Sequence, residues 1–242
     1  MVLLQKGERL DDLHRDGLKI IQNPKGFCFG MDAVLLSGFV QIHEGQRVLD
    51  LCSGNGIIPI LLSSKTPGTD FTGLEIQERV ADMAKRSIEL NGISEKVRIV
   101  SGDLRDANIL PPQGFHVITC NPPYIAVNDG KISPDPALAI ARHEIKCDLD
   151  DVAKAASRWL VPRGTFYMVH RPYRLADIIL SLDRNGLVPK VLRFVQPKAG
   201  KPPNLMLIKA TKGGGSQLKI DTPLIIYDDG KYTEEVRQIY YD

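Results

Sequence analysis

The chain has 242 residues, 43% hydrophobic and 25% charged, which suits a soluble globular protein with a full core. No apolar run reaches the roughly 18 residues of a membrane span, and residues 1–12 carry charges and no apolar h-region, so neither a membrane anchor nor a signal peptide is expected. The four cysteines, Cys28, Cys52, Cys120 and Cys147, form no C-x-x-C pair, which disfavours a disulfide framework or a metal site and fits a reducing, cytoplasmic setting.

Residues 1–45 read as a lead-in with a strand over 18–21 and a helix over 32–40. A strand over 47–51 (RVLDL) follows, then a helix over 57–64 and a strand over 70–75 (DFTGLE). Residues 77–91 have the apolar spacing of an amphipathic helix, closed by Asn91-Gly92. Strands over 97–100 and 115–120 come next. A helix from Asp148 to about residue 160 is capped by Asp148 and Asp151 as a capping box. A strand over 164–169 and a helix over 175–185 complete the alternation, which predicts βαβ units and a mainly parallel sheet. The runs 187–195 and 205–210 have no helix between them and must pair antiparallel. The expected architecture is a doubly wound α/β domain over 46–212, with seven strands, mostly parallel, and an antiparallel last strand. Residues 213–242, after the Gly213-Gly214-Gly215 break, are expected to be a tail packed on that domain, with an apolar run (PLIIYD) and a closing helix over 234–241.

Four strand ends carry the chemistry. After the first strong strand comes Asp50-Leu51-Cys52-Ser53-Gly54-Asn55-Gly56. Gly54 and Gly56 allow a sharp turn with close backbone approach to a ligand at a helix start, and Asp50 is expected to point into the same crevice. Pro59 replaces the third glycine of a dinucleotide fingerprint, and no phosphate-loop motif occurs, so NAD, FAD and nucleoside triphosphates lose support. Glu75 ends the next strand, where a carboxylate can take both hydroxyls of a ribose, with Ile76 beside it to lie on an adenine face. Asp103, followed by Leu104, ends the third; it can accept the amino hydrogens of a cofactor adenine or close an Asx-turn.

The fourth is Asn121-Pro122-Pro123-Tyr124. Two prolines remove two N–H groups and hold the chain extended. The Asn121 side-chain oxygen and the Pro122 carbonyl then make a rigid pair of acceptors, which suits an –NH2 group with two hydrogens, and Tyr124 offers a face on which a ring can stack.

These pieces in this order resemble class I S-adenosylmethionine-dependent methyltransferases, and Asn-Pro-Pro-Tyr resembles their amino-methylating branch. The resemblance covers about residues 25–210. It implies a Rossmann-like fold, S-adenosylmethionine held by Asp50, Cys52, Gly54, Gly56, Glu75, Ile76, Asp103, Leu104 and Asn121, and catalysis by Asn121, Pro122 and Tyr124, with Pro123 against the substrate. Cys52 stands where many members have glycine, so its backbone is expected to avoid a glycine-only conformation. The lead-in Phe29-Gly30-Met31-Asp32-Ala33-Val34-Leu35-Leu36, the segment Arg142-His143-Glu144, and the tail stretches PLIIY and YTEEV are similar to the bacterial tRNA(Val)-type adenine-N6 methyltransferases. That closer match implies a tRNA adenosine as substrate. Methylation of an amino nitrogen needs no strong base beforehand, so His143 is read as structural or substrate-positioning. His14, His43, His116 and His170 lack metal-ligand spacing, and no metal is expected.

Charge supplies a further indication. The net charge is +2, but residues 152–220 hold thirteen basic and two acidic residues, a local +11, and no acid occurs between Arg184 and Ile220. This is the footprint of a polyanion or a solvated basic face; Lys198 and Lys201, in a Pro/Gly loop, are the expected RNA contacts. Two rivals share parts of the pattern: glutamine-N5 methylation of a protein, and a non-catalytic RNA-binding module on a methyltransferase fold. The basic stretch and the missing N-terminal helical domain disfavour the first. The intact Asp50, Gly54, Gly56, Glu75 and Asn121 disfavour the second.

Overall fold

A computed structural model of the chain describes residues 4–26, 28–124 and 147–241. Arg142-His143-Glu144 lies outside the described residues.

An antiparallel hairpin opens the chain, β1 (Arg9–Asp12) against β2 (Lys19–Gln22), followed by α1 (Met31–Phe39). Sequence reading finds only β2. β1 reads RLDD, without apolar alternation, and is a strand because β2 pairs with it. The sheet elements then come as β3 (Arg47–Leu51), α2 (Ile57–Lys65), β4 (Asp70–Glu75), α3 (Glu78–Leu90), β5 (Val97–Ser101) and β6 (Phe115–Cys120). They continue with α4 (Leu149–Trp159), β7 (Leu160–His170), α5 (Leu175–Arg184), β8 (Leu187–Lys198) and β9 (Leu205–Lys212), and close with β10 (Lys219–Asp228), β11 (Lys231–Tyr232) and α6 (Glu234–Tyr241). The capping box of α4 is present: Asp151 N–H donates to Asp148 Oδ1 at 2.8 Å and Asp148 N–H to Asp151 Oδ2 at 3.3 Å.

The sheet runs β11-β10-β8-β9-β7-β6-β3-β4-β5. Strands β5, β4, β3, β6 and β7 are parallel, and β9 is antiparallel to both β7 and β8. The expected seven strands are thus extended to nine among the described residues. The tail does not merely pack on the domain; β10 pairs with β8, parallel, and β11 with β10. Without them β8 would present an unpaired ladder of N–H and C=O groups, which folded proteins cover.

Alternation along the strands sends neighbours to opposite faces. Val48, Val117 and Tyr167 join Leu35, Ile60 and Ala84 under α1, α2, α3 and α6, while Leu49, Ile118 and Met168 join Trp159 and Leu182 under α4 and α5. Gly38 lets α6 close on α1: a Cβ there would stand 2.7 Å from Ile239 Cγ2. Among the described residues no helix is long and apolar enough to cross a membrane.

Candidate active site

Strand order reverses about β3, so its carboxyl end faces the crevice that open α/β sheets use for ligands. The segments leaving β3, β4, β5, β6 and β7 enclose a cleft of about 600 Å³ there. It is lined by Cys52, Gly54, Glu75, Ile76, Asp103, Leu104, Asn121, Pro122, Pro123 and Tyr124, all singled out from sequence. Asp50, Gly56, Lys198 and Lys201 do not line it.

The turn after β3 is left-handed at three residues: Cys52 (φ 57°), Gly54 (φ 57°) and Gly56 (φ 81°). Cys52 therefore occupies the glycine-favoured region it was expected to avoid, at a cost of about 1–2 kcal/mol. Its thiol packs 4.0 Å from Cys147 Sγ. A Cβ at Gly54 would meet nothing within 4 Å, so the backbone is open to the cleft, whereas one at Gly56 would stand 3.1 Å from Ala84 Cβ. Gly56 thus serves the seating of α2 on α3.

Asp50 lies beneath this turn, fully buried, rather than in the crevice. Thr119 Oγ1 donates to its Oδ1 at 2.7 Å, and Oδ2 has no partner among the described residues. Burial pushes its carboxyl up to about 7, against the pull of the hydrogen bond from Thr119.

Glu75 is 5% exposed. Its Oε2 accepts from Gly54 N–H and its Oε1 from Gln77 N–H, each at 2.9 Å. Burial raises its pKa above the ordinary carboxylate value, opposed by those two N–H groups. Each oxygen keeps a further acceptor lone pair. Asp103 forms the Asx-turn: Oδ1 accepts from Arg105 N–H at 2.9 Å, and the Arg105 guanidinium reaches Oδ2 at 2.5 Å.

Tyr124 is held at several points. Its hydroxyl lies 2.8 Å from Asp32 Oδ2 and 2.5 Å from Asn121 Oδ1. The Arg171 guanidinium stands over its ring, 5.1 Å from the centroid, and the His170 ring meets it edge-on at 5.0 Å. Arg171 occupies one face, so only the other can take a planar group. Burial first, then the Asp32 carboxylate, pushes the phenol pKa well above its usual value, and the hydroxyl keeps its proton. His170 is fully buried; its Nδ1 accepts from Arg171 N–H at 2.8 Å, which puts the neutral ring's proton on Nε2. Burial and the Arg174 charge lower its pKa to about 3.

Asp32, Arg171 and Tyr173 also line the cleft and were not singled out as site residues from sequence. Asp32 was visible inside the FGMDAVLL stretch. Arg171 and Tyr173 follow β7 directly, where the strand-end rule applied to the other four strands would have found them. Tyr173 is 67% exposed at the rim and donates its hydroxyl to Tyr124 O at 3.3 Å.

The basic stretch is less free than its sequence suggests. Arg193 pairs with Glu235 at 2.7 Å, Arg184 with Asp150 at 3.3 Å and Lys219 with Asp221 at 2.6 Å. Lys212 donates to the Ser157 and Leu160 carbonyls at 2.6 and 2.8 Å, Lys209 to Gln41 Oε1 at 3.1 Å, and Lys190 to the Gly215 carbonyl. The absence of acids within the stretch is made good from outside it. Lys198, the last residue of β8, and Lys201, in the β8–β9 loop, are exposed at the same sheet edge as the cleft. Arg171 Nη1 ties this loop to the rim through Asn204 O at 3.0 Å. No cluster of potential metal ligands occurs among the described residues.

A strand-reversal cleft of this form, on a sheet with one antiparallel strand next to β7, is the layout of a methyltransferase. Residues 30–180 match the model of the methyltransferase small domain, more than half of the chain, and the chain belongs to that family. Among curated proteins it is similar to the tRNA1(Val) (adenine(37)-N6)-methyltransferase of Aeromonas hydrophila, 28% identical over 213 residues that cover 87% of each chain. It is likewise similar to the protein of that name from Porphyromonas gingivalis, 29% identical over 185 residues, covering 74% of this chain and 72% of that one. Among solved structures, a predicted O-methyltransferase from Agrobacterium tumefaciens shares the fold, with TM-score 0.71 and 24% identity over 86% of this chain and 95% of that one.

Proposed function

We propose that this methyltransferase uses S-adenosylmethionine to methylate N6 of an adenosine in tRNA, the anticodon-loop adenosine of tRNA(Val). The observation that carries the reading is the meeting of the Asn121–Tyr124 turn with Gly54 and Glu75 in one cleft. The similarity to the tRNA1(Val) adenine-N6 enzymes supports the substrate. The cleft fits the cofactor: Gly54 is open where a Cβ would stand, and Glu75 keeps one acceptor site on each oxygen for a ribose diol.

When bound, S-adenosylmethionine supplies an electrophilic methyl group. The chain's own residues orient the nucleophile. Asn121 Oδ1 and the Pro122 carbonyl accept the two N6 hydrogens, drawing positive charge away as nitrogen becomes tetrahedral. The face of Tyr124 away from Arg171 stacks on the adenine, and positioning of this kind supplies several kcal/mol of the barrier. No base need remove a proton beforehand, because the proton leaves after methyl transfer. An adenosine in a loop is turned out at lower cost than one in a stem. Lys198 and Lys201 meet the RNA backbone, and a tRNA substrate puts the work in the cytoplasm.

The test is incubation with methyl-tritiated cofactor and total tRNA, followed by nucleoside analysis. N6-methyladenosine is the expected product. Label in a release factor or another protein, with none in tRNA, would overturn the substrate.

A further inference from the structure

A second cleft, of about 520 Å³, opens between the carboxyl ends of α1 and α2, strands β8 to β10 and α6. It is separate from the methyl-transfer cleft. Ile57 and Ile58, at the start of α2, line the first cleft, and Lys65, at its end, lines the second. That is about 12 Å along the helix at 1.5 Å per residue.

Its charges do not balance. Arg15 sits in the hairpin turn closed by Leu13 N–H to Leu18 O at 2.9 Å, and it is 7% exposed. Its Nε is buried with no hydrogen-bond partner among the described residues, and no carboxylate there pairs with it. Lys65 Nζ donates only to neutral oxygens, Ser37 Oγ at 3.0 Å and Ile239 O at 2.5 Å. Burial, then the Arg15 charge, lowers the Lys65 pKa to about 7. The other charged groups lining the cleft are engaged. Arg193 pairs with Glu235, and Asp221 with Lys219. Lys209 donates to Gln41 and stands over the Tyr167 ring. The nearest hairpin acid, Asp16, accepts from Ser64 Oγ. Two basic side chains, Arg15 buried and Lys65 half-buried, therefore line one cleft with no carboxylate partner among the described residues, an arrangement that costs free energy unless an anion completes it.

We propose that Arg15 and Lys65 form a binding site for a phosphate-bearing small molecule. A guanidinium fork meets an oxyanion with two parallel hydrogen bonds, and an ammonium adds a point charge. The cleft is larger than a phosphate, and Leu35, Phe39 and Leu224 supply apolar walls for an organic body.

The test titrates inorganic phosphate into the full chain by calorimetry, at constant ionic strength against chloride. One saturable site is expected. Arg15→Gln and Lys65→Met each weaken it at least about tenfold, as loss of a charge-assisted hydrogen bond does, while Arg15→Lys, which keeps the charge and loses the fork, weakens it less than Arg15→Gln. If Arg15→Gln fails to fold, Lys65→Met carries the comparison. Equal stabilisation of wild type and both variants by phosphate, the pattern of a non-specific salt effect, would overturn the site. Competition by tRNA for the same phosphate would make these cations part of the RNA interface and overturn the small-molecule assignment. Saturable binding that tRNA leaves unchanged supports it.

Discussion

The Tyr124 hydroxyl touches both Asp32 Oδ2, at 2.8 Å, and Asn121 Oδ1, at 2.5 Å, yet it has one proton to give. A carboxylate is the stronger acceptor. With the proton held by Asp32, the phenol oxygen is free to accept, and a flip of the Asn121 amide about its last bond then turns –NH2 to Tyr124 and the oxygen to the cleft. Asp32 in this account positions the amide through Tyr124. Asp32→Ala is expected to hand the proton to Asn121 Oδ1, lowering kcat about tenfold while cofactor affinity stays within a few-fold. Adding Tyr124→Phe removes the competing donor, so the double variant is expected to be no slower than Asp32→Ala alone. Multiplicative losses in single-turnover rates would count against this coupling.

Glu75 joins two turns as well as facing the cleft, since Gly54 N–H and Gln77 N–H both donate to it. Glu75→Gln retains an acceptor for one of them and is the cleaner probe beside Glu75→Ala. Either is expected to weaken S-adenosylmethionine and its demethylated product by about 1.5–3 kcal/mol, the worth of hydrogen bonds to a charged group. Unchanged affinity in calorimetry would remove Glu75 from the cofactor site.

Asn121→Ala is expected to bind cofactor within a few-fold of wild type and to lose turnover by about 10²–10³, as when one preorganised polar group is deleted. The effect belongs in kcat because, in the proposed reaction, the amide serves the reacting nitrogen. A single-turnover rate within about tenfold of wild type would contradict that role.

The strand ends were legible because an α/β sheet places its ligands at carboxyl edges, and a strand followed by Gly54 or by Asn121-Pro122 declares such an edge locally. Asp50 was misplaced for a related reason. Sequence shows that it lies at the carboxyl end of β3 but not which face it takes, and alternation puts it under the turn, against Thr119. Long-range pairing was the harder part. β1 is polar and exists through β2, and β10 is a sheet strand because β8 offers an edge. The engagement of Arg193 by Glu235, 42 residues on, is equally invisible to a charge count within the stretch.

His170 gives a pH prediction. Its pKa falls from about 6.5 in the unfolded chain to about 3 in the folded one. Between those values the unfolded chain binds a proton that the folded chain does not, so stability falls as pH falls through the window. Other buried groups also respond to acid, so the quantity to compare is the slope. His170→Gln is expected to have a shallower loss of stability between about pH 6.5 and 4, by up to a few kcal/mol over the range. Parallel pH curves in urea denaturation would show that His170 does not titrate in this way.

Within residues 184–220 the structure engages every basic residue except two. Arg184, Lys190, Arg193, Lys209, Lys212 and Lys219 hold protein partners, whereas Lys198, at the end of β8, and Lys201 are exposed beside a loop that Arg171 ties to the cleft rim through Asn204. Each phosphate contact releases condensed counterions, so tRNA affinity is expected to fall with salt, and removing two contacts should reduce the magnitude of the log–log slope by about 1–2. Lys198→Glu with Lys201→Glu is expected to weaken tRNA binding at low salt far more than at high salt. Cofactor affinity should be unchanged, since neither residue lines that cleft. A protein-methylating enzyme would show no such dependence. If the double variant methylates tRNA with the wild-type kcat/KM across the whole salt series, the loop is a solvated basic surface and the RNA backbone is held elsewhere.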